Sequence, residues 1–201
     1  MRRITFSLIV LVCFSAGRPV SQAVAADPTL AAVPSSIPNP LIDHVGFLQH
    51  AEQVAKLREV RRLTEEQFLE MARDPQVIVL DCRSAEKYKL LHIQGAKNLN
   101  FSDITADSLA EVIPTKTTQV LIYCNNNFRN AKDAFRSKCP VTSLNLHTWN
   151  TLHGYGYENV YELGPLLDVK STKIPFAGTD PIVQAQRESA TPTTGAGTAQ
   201  Q

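Results

Sequence analysis

Glycine and cysteine are scarce in this chain of 201 residues, which has nine Gly and four Cys. That scarcity excludes a collagen-like repeat and a disulfide-dense scaffold. An excess of one charge is equally lacking: 20 Lys and Arg stand against 19 Asp and Glu, a net of +1. No general basic surplus points to a nucleic-acid partner. Long apolar runs are missing too. The single candidate, Ile4 to Ala16, spans about 13 residues where a membrane-crossing helix needs roughly 20. What is present, a 43% hydrophobic content, suffices for one globular domain with length left for tails.

The first residues read as an export signal. Arg2 and Arg3 precede the apolar run, and Ala23-Val24-Ala25 has the small-x-small form of a cleavage site. A signal peptide over residues 1–26 implies a periplasmic or secreted protein. Only an uncleaved leader would bring the chain to a membrane. Cys13 follows Val12, not the small residue that a lipid-attachment site requires, so lipidation is not expected. Losing Arg2, Arg3 and Arg18 leaves 17 basic against 19 acidic residues, a net of −2. Three cysteines remain, Cys82, Cys124 and Cys139. In an oxidising compartment an odd number leaves at least one thiol unpaired within the chain.

Residues 27–42, with Pro28, Pro34, Pro38 and Pro40, read as a linker. Residues 43–62 carry a helical pattern with Phe47, Ala51, Val54 and Leu57 near one face. Thr64, three residues before Gln67, has the spacing of a capping box for a second helix ending near Asp74-Pro75. Val77 to Leu80 and Val120 to Tyr123 are apolar runs suited to strands buried on both faces. A short helix is expected around Ser108 to Val112, another over Asn130 to Lys138, and a third apolar strand at Val160 to Leu163. This alternation predicts an α/β domain over residues 63–176 with a parallel sheet. Residues 177–201, rich in Thr, Ala, Gly and Gln, are expected to be disordered.

The chemistry concentrates at Tyr123-Cys124-Asn125-Asn126-Asn127-Phe128-Arg129-Asn130-Ala131. A cysteine ends a buried strand, a polar loop follows, and the expected helix starts at once. Ligands of parallel sheets bind beyond the carboxyl ends of the strands. Amides at a helix N-terminus favour an anion there, and a thiolate so placed is a nucleophile. Arg129 adds positive charge, and Asn127 tolerates the positive φ that a tight anion-cradling loop demands. The alternative is that Cys124 is a small buried hydrophobe, the common fate of a cysteine.

Four segments, in order, resemble the rhodanese-like sulfurtransferases. Leu80-Asp81-Cys82-Arg83 is similar to that family's strand-ending D-x-R. Tyr88 with His92-Ile93-Gln94-Gly95-Ala96-Lys97-Asn98 is similar to its H-I-x-G-A-x-N signature. Tyr123 to Ala131 resembles its active loop, and Asn159 to Leu163 its closing strand. The resemblance implies a three-layer α/β fold with a central parallel sheet flanked by helices. It also implies sulfur transfer: Cys124 takes a sulfane sulfur from a donor such as thiosulfate, polysulfide or a protein persulfide. A thiol, cyanide or other nucleophile then removes it, without metal or organic cofactor. The loop Asn125, Asn126, Asn127, Phe128, Arg129 and Asn130 would hold the persulfide anion.

Asp81 and Arg83 are expected to anchor loops by ion pairing. His92 would tie the backbone together instead of acting as a base, and Gly95 would serve a turn. Cys82 is either a packed core thiol or, through a neighbouring strand, a resolving partner for Cys124. Four residues separate Cys124 from Arg129, whereas related thiol phosphatases and arsenate reductases use five. Many thiosulfate-using members carry a cation directly after the cysteine and Gly two positions later; here stand Asn125 and Asn127. A catalytically idle rhodanese-like module that binds a protein partner is therefore the second reading.

Overall fold

Residues 39–190 are described by the computed structural model, so the expected leader, most of the linker and the last residues of the tail lie outside the described part. Helix α1 (His44–Glu59) starts where Asp43 accepts a hydrogen bond from the Gly46 amide, 2.8 Å. The two-residue strand β1 (Arg62–Leu63) leads into α2 (Glu65–Met71). The capping box read from Thr64 and Gln67 is formed, with both reciprocal bonds in place (3.2 and 2.9 Å). Then follow β2 (Ile78–Asp81), α3 (Ala85–Leu90), β3 (Leu91–Ile93) and β4 (Lys97–Asn98). Helix α4 (Ala106–Val112) is capped by Thr105, and β5 (Val120–Tyr123) comes next. The chain ends in β6 (Phe128–Arg129), α5 (Leu144–Gly154), β7 (Val160–Leu163), β8 (Leu167–Asp168), β9 (Phe176–Gly178) and α6 (Pro181–Ala190).

Five strands form an all-parallel sheet in the order β1-β7-β5-β2-β4. The central strands β2 and β5 are buried at every position, as continuous apolar runs between two helical layers must be. Residues of β2, β5 and β7 feed two cores. Val79, Leu121, Tyr123 and Leu163 face Phe68 of α2, Val183 of α6 and the aromatic set Phe128, Phe135 and Phe176. Leu80, Val120, Ile122 and Val160 face Val54 of α1, Leu109 of α4, and Trp149 and Leu152 of α5. Trp149 has no exposed surface and is the largest side chain of that second core. Among the described residues no helix is long and apolar enough to cross a membrane.

Three expectations change. The tail is not disordered from residue 177. Strand β9 pairs antiparallel with β3, and Val183 of α6 enters the core, so the domain continues to at least Ala190. The low apolar content of the far tail concealed one anchor, Val183. The helix over Asn130 to Lys138 does not form either. Phe128 and Phe135 both belong to the aromatic cluster, with ring centroids 4.6 Å apart, and Asn130 turns the chain with φ 67. Third, Phe47 of α1 is half exposed, whereas Val54 is buried as expected.

Helix α1 is held to the domain by charge and by α5. Glu162 of β7, only 3% exposed, receives Arg58 at 2.6 Å and Arg62 at 3.0 Å. His50 meets the Asn150 carbonyl at 3.0 Å and lies 4.9 Å from the His153 ring. Glu162→Ala removes the shared acceptor of two guanidinium groups, one of them more than half exposed. We expect a loss of about 2 kcal/mol in urea unfolding and faster amide exchange along α1. Burial, then the neighbouring His50, holds the His153 imidazole below its ordinary 6.5. A group with a depressed folded value binds its proton more readily when unfolded. Stability is therefore complete above pH 6.5 and falls as the pH drops below it. Thermal unfolding between pH 7.5 and 5, with His153→Gln flattening the decline, checks this.

Candidate active site

The thiol of Cys124 sits where β5 ends. Its backbone leaves the sheet in an extended conformation and enters a single 3-10 turn over Asn125–Asn127. The Asn126 amide donates to Sγ at 3.4 Å, and the Ser143 hydroxyl stands 3.5 Å from Sγ. Ser143 is the N-cap of α5, and its side chain makes no capping bond. The helix terminus beside the sulfur is thus that of α5, not of a helix following the loop at once. Electrostatics of the expected kind is supplied from further along the chain. Cys124 is 1% exposed.

Each asparagine of the run has its own task. Asn127 is a buried bracket. Its Oδ1 accepts from the Cys124 amide (2.8 Å) and from Asn145 (3.1 Å), while its Nδ2 donates to the Leu163 carbonyl (2.6 Å). The left-handed residue is not Asn127 but Asn130. Asn126 forms two reciprocal bonds with the backbone of Lys138, at 2.9 and 2.8 Å, tying the loop to the segment Arg136 to Lys138. Asn125 is 7% exposed and lines a cavity of about 490 Å³ at the strand ends. Asn125, Cys82 and Leu144 lie on its wall, together with Lys87, Arg136 and Lys138. Sequence reasoning missed these three cations and Ser143. No local signal pointed to them: Lys87 lies on α3, and Arg136 and Lys138 lie in the stretch read as a helix that does not form.

Arg129 is placed elsewhere. Strand β6 pairs with β8, and the exposed Arg129 guanidinium faces Asp168 at 3.5 Å. Asn130 donates to the same carboxylate at 2.7 Å. Neither residue is among those lining the cavity beside Asn125. The expectation of positive charge from Arg129 at the cavity mouth is therefore corrected: Lys87, Arg136 and Lys138 stand there.

Beneath the loop lies a fully buried network. Arg83 grips Asp81 through Nε (2.9 and 3.1 Å) and Nη2 (2.5 Å), and donates to the carbonyls of Ala134 and Leu91. The Tyr123 hydroxyl donates to Asp81 at 2.6 Å. Burial first, and the Asp81 carboxylate second, push that phenol well above its ordinary value, so it stays a proton donor. His92 bonds the Tyr88 carbonyl through Nδ1 at 2.7 Å and stacks on the Tyr88 ring, a backbone-fastening arrangement. Gly95 turns with φ 83. Cys82 follows β2 as Cys124 follows β5, next to the paired residues Asp81 and Tyr123. Burial pushes the Cys82 thiol up to about 12, a poor attacking group at neutral pH. Cys139 is exposed.

Comparison with known proteins adds the following. The rhodanese-like domain model matches residues 64–164. Similar solved structures include the BH2092 protein of Bacillus halodurans, 18% identical over 66% of this chain and 85% of that one, TM-score 0.41. The Alr3790 protein of Anabaena sp. is 19% identical over 63% and 90%, TM-score 0.42. The solution structure of the rhodanese-like domain of Alr3790 is 24% identical over 70% and 90%, TM-score 0.40. None of the curated proteins compared with the chain matches it.

Asn127→Ala leaves the Cys124 amide, the Asn145 carboxamide and the Leu163 carbonyl without their bonds. Each buried orphan costs about 1–3 kcal/mol, so urea unfolding should show a loss of roughly 3 kcal/mol. Alkylation mapped by peptide mass should reach Cys139 well before Cys124 in the parent protein. In the variant, Cys124 should react faster.

Proposed function

Taking as premise that this chain belongs to the rhodanese-like domain family, we propose that it is a sulfurtransferase carrying sulfur on Cys124. The observation that carries the reading is the position of Cys124. It follows the central strand β5 with a main-chain N–H on its Sγ, and the next residue, Asn125, lines a cavity that also carries cations. In the first step the Cys124 thiolate attacks the sulfane sulfur of a donor. A Cys124 S–S bond forms as the donor's sulfur–sulfur bond breaks, and the donor leaves with the bonding pair. An acceptor nucleophile then attacks the outer sulfur and returns the Cys124 thiolate. The Asn126 amide and the Ser143 hydroxyl stabilise negative charge at sulfur before and between the steps. The leader, if cleaved, delivers this chemistry outside the cytoplasm.

At 1% exposure, reaction requires the turn Asn125–Asn127 to swing open, a motion typical of active-site loops. One observation favours the second reading, an idle module that binds a protein partner. The amides of Cys124, Asn127 and Phe128 already donate to Asn127 Oδ1, the Cys124 carbonyl and the Asn125 carbonyl, and the Asn126 amide is the loop N–H that reaches the sulfur. The two readings separate in one experiment. The reduced protein is incubated with thiosulfate or with polysulfide and weighed intact. A gain of about 32 Da, one sulfur atom as a persulfide, is expected. It should be absent in Cys124→Ser and retained in Cys82→Ser and Cys139→Ser. No adduct with either donor leaves the binding module as the function.

A further inference from the structure

The first half of α1 is held to the domain differently from the second. Between His44 and Gln53 no residue is buried, and Val45, Phe47 and Leu48 are at least half exposed. The second half has Val54 in the core, Leu57 packed against that core, and the Arg58–Glu162 ion pair at 2.6 Å. Apolar burial therefore anchors the helix from Val54 onward and contributes little before it. What ties down the first half is His50. Its Nε2 donates to the Asn150 carbonyl of α5 at 3.0 Å, and its ring lies 4.9 Å from that of His153. Among the described residues no other side chain from His44 to Gln53 makes a hydrogen bond or ion pair outside α1.

Both imidazoles sit at the last turns of α5, where the helix dipole favours one positive charge. The Asn150 carbonyl accepts from His50 whether that ring is neutral or cationic, so one proton leaves the contact standing. A second does not. His153 Nδ1 and Asn150 Oδ1 are both buried and unpaired among the described residues, so the two do not bond each other. A charged His153 carries an N–H at both nitrogens, and the one at Nδ1 has no acceptor in place. It also sets two cations side by side. Of the other charged groups that face the pair, Glu158 favours a charged His153 and Arg61 opposes it. Arg61 donates to the Glu158 carbonyl, so it stays close by. Burial and then His50 weigh more than either, and both disfavour the cation.

We propose that His50 and His153 form a proton-operated latch: with His153 neutral it holds His44–Gln53 on α5, and with both rings charged it releases that half while Val54 and Arg58 keep the rest docked. The released stretch is continuous with residues 27–42, so acid lengthens the tether ahead of the domain and uncovers the last turn of α5. Nothing in the latch depends on sulfur chemistry at Cys124. The released form binds one proton more, at His153, between the ordinary value of 6.5 and the lower one that the docked ring has. Release is therefore least above pH 6.5 and grows about tenfold per pH unit below it.

Hydrogen–deuterium exchange of the full chain at pH 7.5 and 5.5, corrected for the intrinsic exchange rate, tests this. Protection of the Leu48–Gln53 amides is expected to fall roughly tenfold. The β5 amides should keep theirs, and the emission of Trp149, the one tryptophan, should not shift. H153Q and H153N carry no charge at either pH and should show no such fall. H50Q, whose carboxamide can still donate to the Asn150 carbonyl, should show a smaller one. Equal protection of Leu48–Gln53 at the two pH values overturns the latch, as does a fall in both His153 variants as large as the parent's. A loss shared equally by α1, β5 and the Trp149 emission overturns it as well, because the domain then responds as a whole.

Discussion

Asp81 is a carboxylate with no exposed surface, and an uncompensated charge in that position would cost several kcal/mol. The domain answers with two donors from different directions, the Arg83 fork and the Tyr123 hydroxyl. Because Arg83 also donates to Ala134 and Leu91, one carboxylate fixes the end of β2, the end of β5, the start of β3 and the segment after the cysteine loop. The Arg83 guanidinium lies 4.0 Å from the Phe135 ring centroid, which adds a cation–π contact in a desolvated setting. A network this satisfied is rigid. The site above it therefore has a firm floor, and its freedom lies in the turn Asn125–Asn127 and in the segment that Asn126 ties to it.

Local signals carried the parallel sheet. The apolar runs at Val77–Leu80 and Val120–Tyr123 suited strands buried on two faces, and the Thr64–Gln67 spacing marked a helix start that the structure bears out bond for bond. What escaped reading was non-local. A helix over Asn130 to Lys138 is locally reasonable, with three apolar residues at helical spacing, but Phe128 and Phe135 gain more by entering the aromatic cluster. The same competition displaced Arg129. Once Phe128 is drawn inward on β6, its neighbour must point outward, to Asp168. The cations of the cavity came from α3 and from the stretch misread as a helix, so nothing local in the sequence placed them near Cys124.

The three asparagines show how similar letters divide labour. An amide side chain offers both donor and acceptor, which lets Asn127 stand in for backbone, Asn126 imitate a strand pair with Lys138, and Asn125 face the cavity. A glycine at residue 127 would leave the Cys124 amide free for a bound anion. Here the carboxamide occupies it, and the loop's resting state is correspondingly closed.

The pairing of β9 with β3 has a consequence for how the protein is made. Leu91 to Ile93 find their sheet partners at Phe176 to Gly178, and Phe176 also completes the aromatic cluster that holds Phe128. During synthesis that cluster stays unfinished until nearly the whole domain has left the ribosome. A nascent chain halted at residue 164 would present bare rings to chaperones and to its neighbours on the polysome.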